Sequence, residues 1–249
     1  MSSAQALLRP VRFSPRSISG LKLWLEADRI TGLNDSDPVG TWSDLSGNGN
    51  HATQGTAAAK PLYKMGILNG RPVVRYDGTD DVMALSGVGL NIARNVVGLT
   101  MFFVWIPNSV AGGGDKSLVQ FETNAGANRA VIQRSAAALL VGGRRLDADS
   151  FESAAGGTVS VGVPTITSAT FDYANVLATI FKDGVQVAQD NPFQTAGSTS
   201  DTASTAARIG AAGPNLDAAV ALVYNRALAS SERKKIERYL GRKYGIAVS

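Results

Sequence analysis

The chain has 249 residues, of which 44% are hydrophobic and 18% are charged, so its size suits one large globular domain or two small ones. It contains no cysteine, which excludes disulfide frameworks, thiolate metal sites and cysteine nucleophiles. The single histidine, His51, excludes metal centres built on several histidines. The 27 glycines and the aromatic content of 7% are typical of a β protein rich in turns.

The first segment is a predicted basic arm, residues 1–17, in which Pro10 and Pro15 disfavour a helix. It contains no apolar stretch followed by a small-residue cleavage site, so we expect no signal peptide. Apolar stretches further along, such as residues 99–106, are shorter than the roughly 20 residues that a membrane helix needs. The sequence therefore predicts no membrane partner.

Hydrophobic patterns then predict several β-strands. Residues 20–27 alternate, with three leucines on one face, which is the period of a half-buried strand. Asn69-Gly70 predicts a hairpin turn that leads into a strand at residues 72–76. Residues 99–106 are apolar on both faces, so we expect a central strand that is covered on both sides. Further short strands are predicted at residues 117–121, 130–134, 138–141 and 218–224.

The remaining segments complete the predicted fold. Asp183-Gly184 is typical of a type I′ hairpin turn, and residues 194–204 form a predicted loop rich in serine and threonine. Apolar residues at helical spacing predict one helix at residues 231–244, with Gly245 ending it. The sequence thus predicts an all-β, two-sheet antiparallel jelly-roll sandwich with one C-terminal helix, and a domain at residues 18–249 after the arm.

Basic residues cluster at both ends of the chain. Residues 232–243 carry six basic and two acidic residues, a net charge of +4 that equals the charge of the whole chain. The arm carries Arg9, Arg12 and Arg16 and no acidic residue. Because no nucleic-acid reading motif accompanies these clusters, the pattern favours docking onto an acidic protein surface over binding of nucleic acid.

Catalytic motifs are sparse. A retaining glycoside hydrolase needs two carboxylates roughly 5–5.5 Å apart, and laminarinase-type glucanases carry them on one strand. The nearest match, Glu26-Ala27-Asp28, lacks the second glutamate, and Asp147 and Asp149 stand in a sequence typical of an exposed loop. His51 has no nucleophile motif nearby and is interpreted as a loop-packing residue. We therefore expect no enzymatic activity.

Oxygen-bearing side chains form two clusters that could hold calcium. They are Asp44, Asn48 and Asn50, and Asp77, Asp80 and Asp81. Ca²⁺ takes six to eight oxygen ligands from loops of this kind. Aspartate and asparagine also supply turn hydrogen bonds, and this interpretation is favoured. The sequence accordingly predicts no cofactor, with calcium as the alternative.

Four sequence blocks, in order, resemble one family. They are G-L-x-L-W-L-x-A at residues 20–27, W-x-D-x-S-G-N-G-x-H-A-T at 42–53, the segment from Leu68-Asn69-Gly70 to Asp80-Asp81, and Tyr224-Asn225-Arg226-Ala227-Leu228 with the helix that follows. Together they resemble the concanavalin A-like, laminin-G-like (pentraxin-type) jelly-roll family over about residues 18–246. The chain departs from that family at Val220, where a glutamate is usual, and at Ala229, where a serine commonly caps the helix.

This resemblance implies a fold more than an activity. Family members are non-catalytic binders of glycan or protein, or surface components of tailed bacteriophage particles. The leading hypothesis is a phage virion protein, a capsid decoration module or a tail or fibre component, which forms a homo-oligomer and contacts major capsid or tail proteins. The alternative is a soluble lectin-like module that binds bacterial host-surface glycan. The residues predicted to dock onto a partner are Arg9, Arg12, Phe13, Arg16, Arg233, Lys234 and Arg238.

Overall fold

The computed structural model describes residues 13–111, 114–124 and 127–249. The described residues form two antiparallel sheets of eight strands each and one α-helix, with short 3-10 helices between them. The elements are β1 Leu21–Glu26, β2 Thr41–Trp42, β3 Ala52–Thr53, β4 Leu62–Leu68, β5 Arg71–Asp77, β6 Met83–Leu85, β7 Gly98–Pro107, β8 Asp115–Asn124, β9 Ala127–Ser135, β10 Ala138–Gly143, β11 Glu152–Thr158, β12 Thr165–Asp172, β13 Leu177–Lys182, β14 Val185–Asp190, β15 Ala206–Ala211, β16 Asn215–Tyr224 and α1 Ser230–Tyr244.

The two sheets pack face to face. The first has the order β14-β13-β12-β7-β16-β5-β4, with β1 also paired to β16, and the second has the order β11-β10-β9-β8-β15-β6-β3-β2. Aromatic and aliphatic side chains from both sheets, Trp42, Phe121 and Phe171 among them, form one continuous core between the sheets. The predicted two-sheet antiparallel sandwich with a C-terminal helix is confirmed.

Strand β7 lies at the centre of the first sheet, as predicted for residues 99–106. All ten of its residues are buried, because its two faces meet different cores. Phe103 and Trp105 face the second sheet, whereas Phe102 and Val104 face the outer side of the first sheet. An apolar strand without alternation is what burial on both faces requires.

The helix α1 covers that outer side. Its residues Ile236, Leu240 and Tyr244 pack onto the outward-facing side chains of β7 and β16, which explains the helical spacing of the apolar residues. The helix begins after Ala229, whose backbone N–H donates to Glu232 Oε2 at 3.0 Å. It ends at Gly245 with φ 67°, the left-handed conformation that glycine adopts without strain. Among the described residues, no helix has both the length and the apolar character that crossing a membrane would require.

The loop that carries the W-x-D-x-S-G-N-G motif is tied to β1 by Asp44. Its Oδ1 accepts from the backbone N–H groups of Trp24 (2.9 Å) and Ser46 (2.8 Å), and its Oδ2 accepts from the backbone N–H of Asn50 (3.0 Å). The backbone N–H of Asp44 donates to Nδ1 of His51 at 3.0 Å. This part of the motif is therefore structural, and His51 takes the predicted loop-packing role.

Candidate functional site

A cavity of about 570 Å³ opens where the end of the arm, β1, β5 and α1 meet. We call it the aromatic–cationic cavity. It is lined by Phe13, Ser14, Trp24, Asp28, Arg29, Arg71, Tyr239, Arg242 and Lys243. Its volume lies within the range of small-ligand sites.

Three half-buried aromatic side chains form the apolar part of the lining. The alternation of β1 turns Leu23 and Leu25 into the core between the sheets and leaves Trp24 on the outer side, beside α1. Phe13 packs against Tyr239 with ring centroids 5.5 Å apart and an interplanar angle of 58°. The cavity thus offers rigid apolar surface with polar edges.

A network of ion pairs forms the polar part. Asp28 accepts from Nη1 of Arg71 at 2.9 Å and from Nζ of Lys243 at 3.2 Å. Lys243 also lies 2.6 Å from Oε1 of Glu26, which is buried beneath the cavity. Nε of Arg71 donates to the Lys243 carbonyl at 2.8 Å, which ties β5 to the end of α1.

Cations outnumber carboxylates around the cavity. Four basic side chains line it, against one lining carboxylate, that of Asp28. Arg242 is exposed, and Arg29, 65% exposed, lies 3.5 Å from Oε2 of Glu26. A ligand with acceptor groups, and above all with negative charge, is therefore favoured electrostatically.

Two ionisable groups at the cavity have shifted pKa values. Burial raises the pKa of Glu26, and the pairing with Lys243 opposes that rise. Burial, together with the carboxylates of Glu26 and Asp28, raises the pKa of Tyr239 to about 12. Tyr239 therefore keeps its hydroxyl proton across the physiological range and can donate a hydrogen bond. Because Glu26 does not line the cavity, its carboxyl group cannot reach a bound ligand as a general acid.

Of the predicted docking residues of the arm, Phe13 lines this cavity. Arg9 and Arg12 lie outside the described residues. Nε of Arg16 donates to the Leu45 carbonyl at 2.8 Å. Pro15 is buried, and its carbonyl accepts from the Tyr224 hydroxyl at 3.0 Å. The described end of the arm thus contacts its own domain, and its docking onto a partner stays a prediction.

The predicted docking residues of the helix separate into two groups. Arg233 is buried, forms an ion pair with Glu237, and places its guanidinium 3.6 Å from the ring centroid of Phe181. Lys234 is half-buried beside it and lines a groove against β13 and β14. Arg238 is exposed on the outer face of α1. Of the three, Arg238 alone presents a freely exposed cation.

The carboxylates considered for catalysis have structural partners. Asp147 accepts from Nη2 of the buried Arg129 at 2.5 Å and from the Thr202 hydroxyl at 2.7 Å. Burial raises the pKa of Asp147, but the hydrogen bonds outweigh that effect, so the pKa is lower than its ordinary value. Asp149 accepts from the backbone N–H of Leu146 at 2.8 Å. This loop is therefore held by its aspartates.

The second candidate calcium cluster brings three carboxylates together. Ligand oxygens of Asp77, Asp80 and Asp81 lie within 4.8 Å of one another. Asp81 accepts from the backbone N–H of Asp77 at 2.8 Å, and Asp77 accepts from the backbone N–H of Thr79 at 2.7 Å. Turn hydrogen bonds, the favoured interpretation, thus engage two of the three side chains.

Comparisons with known proteins identify the fold. No protein-family model and no curated protein matches the chain. Among solved structures, Trypanosoma rangeli sialidase matches with a TM-score of 0.60 and 14% identity over 93% of this chain and 34% of that chain. The binding domain of Paraclostridial Mosquitocidal Protein 1 matches with a TM-score of 0.64 and 13% identity over 89% of this chain and 52% of that chain. The binding domain of Botulinum Neurotoxin DC in complex with SialylT matches with a TM-score of 0.56 and 10% identity over the same shares, 89% and 52%.

The chain has a two-sheet antiparallel β-sandwich fold similar to a part of each of these structures. At these identities the similarity shows the fold alone, and the chain spans between a third and about half of the length of the similar structures. Neither the catalysis of the sialidase nor the ligands of the toxins transfer to this chain by that similarity.

Sequence reasoning found one residue of the cavity, Phe13, as a partner contact and missed its other aromatic and basic residues. Trp24, Arg71 and Tyr239 stand on three different elements, so no local spacing connects them. A signal was present in β1, where Trp24 occupies the position facing away from the leucines of the core. A tryptophan on that side of a strand needs either a covering element or a ligand.

Proposed function

We propose that this protein is a non-catalytic, lectin-like module that binds an acidic glycan in the aromatic–cationic cavity. The observation that carries the proposal is the combination of three aromatic side chains with an excess of cations in one cavity. A sugar ring stacks its apolar face on an aromatic side chain, while its hydroxyls need polar partners. A sugar carboxylate or sulfate pairs with guanidinium groups through charge-assisted hydrogen bonds.

The comparisons support a binding role. Two of the similar structures are named binding domains, and one of these is in complex with SialylT. The accessible chemistry also supports binding over hydrolysis, because Glu26 is buried and Asp147 is engaged by Arg129. A retaining hydrolase needs two accessible carboxylates roughly 5–5.5 Å apart.

Membership of the laminin-G-like family and a place on a phage particle are proposed from the sequence resemblance. One structural feature supports docking onto an acidic surface. Lys235, Arg238 and Arg242 recur at i, i+3 and i+7 and are exposed, which forms a basic stripe on the outer face of α1. Mass spectrometry of purified particles from the source tests this setting directly.

Intrinsic fluorescence tests glycan binding at the cavity. Of the three tryptophans, Trp42 and Trp105 are 0% exposed, so a change in fluorescence on addition of an acidic oligosaccharide reports Trp24. Arg242→Ala removes an exposed cation from the lining and is expected to weaken binding by about tenfold, the effect of one charge-assisted hydrogen bond. Tyr239→Leu is expected to weaken it as well, through lost stacking.

Arg238→Ala is the matched control, since Arg238 lies on the same helix, is exposed and does not line the cavity. It should leave the affinity within about twofold, the range of a single exposed charge. Equal weakening by Arg238→Ala and Arg242→Ala would show binding to the basic stripe and not to the cavity. The absence of any fluorescence change across a panel of sulfated and carboxylated oligosaccharides would reject the proposal.

A further inference from the structure

A groove of about 670 Å³ lies on the outer side of the first sheet, where β12, β13 and β14 extend past the start of α1. We call it the threonine groove, because Thr170 and Thr179 lie on its floor. Its wall consists of residues 226–230 together with Arg233 and Lys234 of α1. It shares no residue with the aromatic–cationic cavity, which lies near the opposite end of the helix.

The two threonines are neighbours because of the strand register. Ala178 and Ile180 of β13 face the core between the sheets, so Thr179 between them faces outward. Thr170 is its direct partner in the pairing of β12 with β13, and directly paired residues lie on the same face of a sheet. Two hydroxyl groups therefore lie side by side on the floor of the groove.

The hydroxyl of Thr179 has no partner and can be reached from the groove. The residue is 5% exposed, and its Oγ1 forms no hydrogen bond with the described residues. The oxygen nevertheless keeps solvent-accessible surface, in contrast to the fully enclosed polar atoms of the protein. Because Thr179 faces outward and lines the groove, this accessible oxygen is directed into it.

The start of α1 adds free N–H groups. A polar side chain at the N-cap usually accepts from an N–H of the first turn, but Ala229 occupies this position and has no acceptor. The backbone N–H groups of Ser230 and Ser231 form no hydrogen bond with the described residues. Since Ser230 lines the groove, the positive end of the helix dipole lies there as well.

Lys234 adds a positive charge that no carboxylate of the described residues approaches within 4 Å. It is half-buried and lines the groove one turn into the helix. The other basic residues of the lining have partners, since Arg226 is paired with Glu232 and Arg233 with Glu237. Lys234 is therefore the cation of this groove that is available to a ligand.

Most acceptors of the groove, in contrast, are engaged. The carboxylate of Asp172 accepts from the backbone N–H of Asn175 at 3.1 Å and from its Nδ2 at 2.8 Å. Asp172 also lies two residues along β12 from Thr170, a displacement of roughly 7 Å. Oε1 of Gln189 accepts from Nε2 of Gln186 at 3.1 Å. The groups that remain free are mainly donors, so a ligand rich in acceptors and negative charge complements them.

We propose that the threonine groove binds a phosphate or sulfate group. Donors come from the sheet hydroxyls, from the helix backbone and from the Lys234 ammonium, and a tetrahedral oxyanion has at least three acceptor oxygens to meet them. A carboxylate has only two oxygens and satisfies fewer of these donors. The site is independent of the acidic-glycan site proposed above.

Nuclear magnetic resonance of the ¹⁵N-labelled protein tests the proposal. The probes are inorganic phosphate and inorganic sulfate at millimolar concentration, with sodium chloride holding the ionic strength constant. At least one is expected to shift the backbone amides of Thr179, Ser230 and Ser231, and acetate should bind more weakly. Methyl phosphate and methyl sulfate are added in the same way. Tighter binding of these esters assigns the site to an esterified group and tighter binding of the inorganic ions assigns it to a free ion, and either result supports it.

Thr179→Val tests the floor of the groove. It keeps the shape of the side chain and removes a hydroxyl that has no partner in the protein, so the fold is retained. Binding should weaken by about tenfold, the effect of one hydrogen bond to a charged group. A role of this hydroxyl in folding alone would leave the affinity unchanged.

Lys234→Met should also weaken binding by about tenfold. Lys235→Met is its matched control, because Lys235 is exposed and does not line the groove, and it should leave the affinity within about twofold. The proposal is overturned if neither anion nor its ester shifts these resonances, if acetate binds as tightly, if Thr179→Val binds like the wild type, or if the two lysine variants weaken binding equally. Because Arg242→Ala should not alter these shifts, failure here is distinguishable from failure of the acidic-glycan site.

Discussion

Asp35 shows how one exposed residue fastens a loop to the edge strand β4. Its carboxylate accepts from Nζ of Lys64 at 2.7 Å and from the backbone N–H of Met65 at 2.8 Å. These hydrogen bonds, that from Lys64 first, lower the pKa of Asp35 to about 2. A lowered carboxyl pKa stabilises the folded state above the ordinary pKa and loses that contribution as the pH falls from about 4 to about 2.

Lys64→Met is expected to raise the pKa of Asp35 towards its ordinary value of 3.8. The measurement is the pH titration of the Asp35 carboxyl carbon by nuclear magnetic resonance. Lys60→Met is the control, because Lys60 forms no ion pair with the described residues. An unchanged titration in Lys64→Met would show that the backbone hydrogen bond alone holds the pKa down.

Individual residues also show which features can be predicted from the sequence and which cannot. The turns at Asn69-Gly70 and Asp183-Gly184 follow from local chemistry, and all four residues have positive φ, between 50° and 89°, as predicted. Arg233 was predicted at a docking surface because it belongs to a basic run, yet it is buried against Phe181 and Glu237. Its environment depends on a strand more than 50 residues away, which no local pattern encodes.

The elements show the same contrast. The strand β7 and the helix α1 were predicted because their hydrophobic patterns are long and regular. Strand β12, with the sequence TITSATFD, was not predicted, although it lies next to β7 near the middle of the first sheet. Its buried residues include small polar ones whose hydroxyls have specific partners, such as Thr167, which accepts from Nε1 of Trp105 at 3.0 Å. Polar residues can be buried when they form hydrogen bonds with a neighbouring strand. They interrupt the alternation of apolar and polar residues by which a strand is predicted from sequence.

A buried polar network fastens α1 to the first sheet. Glu237 in α1 accepts from the Ser168 hydroxyl of β12 at 2.6 Å and from Nη1 of Arg233 at 2.6 Å. Glu237→Ala leaves Arg233 buried without its partner, and we expect a loss of about 3–5 kcal/mol in the free energy of unfolding. Urea denaturation measures this loss.

Two variants make this test specific. Arg238→Ala changes an exposed residue of the same helix and should alter the free energy of unfolding by less than about 0.5 kcal/mol. Arg233→Leu combined with Glu237→Leu removes both charges and should recover most of the stability that Glu237→Ala loses. A small effect of Glu237→Ala would mean that the network contributes little to holding the helix.

Folding pairs many of the charges that the sequence groups at the C-terminal end of the chain. Residues 232–243 carry a net charge of +4, but some of their cations, Arg233 and Lys243 among them, are paired with carboxylates. Just before the helix, Nη1 and Nη2 of Arg226 donate to the carboxylate of Glu232 at 2.9 and 2.7 Å. Lys243 is paired with both Glu26 and Asp28. The exposed stripe of Lys235, Arg238 and Arg242 remains and runs towards the aromatic–cationic cavity.

This distribution predicts that binding at the aromatic–cationic cavity depends on salt. Exposed cations attract an acidic glycan over a distance that falls from about 10 Å at 0.1 M salt to about 3 Å at 1 M. Binding at the aromatic–cationic cavity, followed through Trp24, should therefore weaken by about fivefold over that range, the contribution of an exposed ion pair. Titrations at 0.1 and 1 M sodium chloride measure this effect, and an unchanged affinity would contradict the assignment of a charged ligand to this cavity.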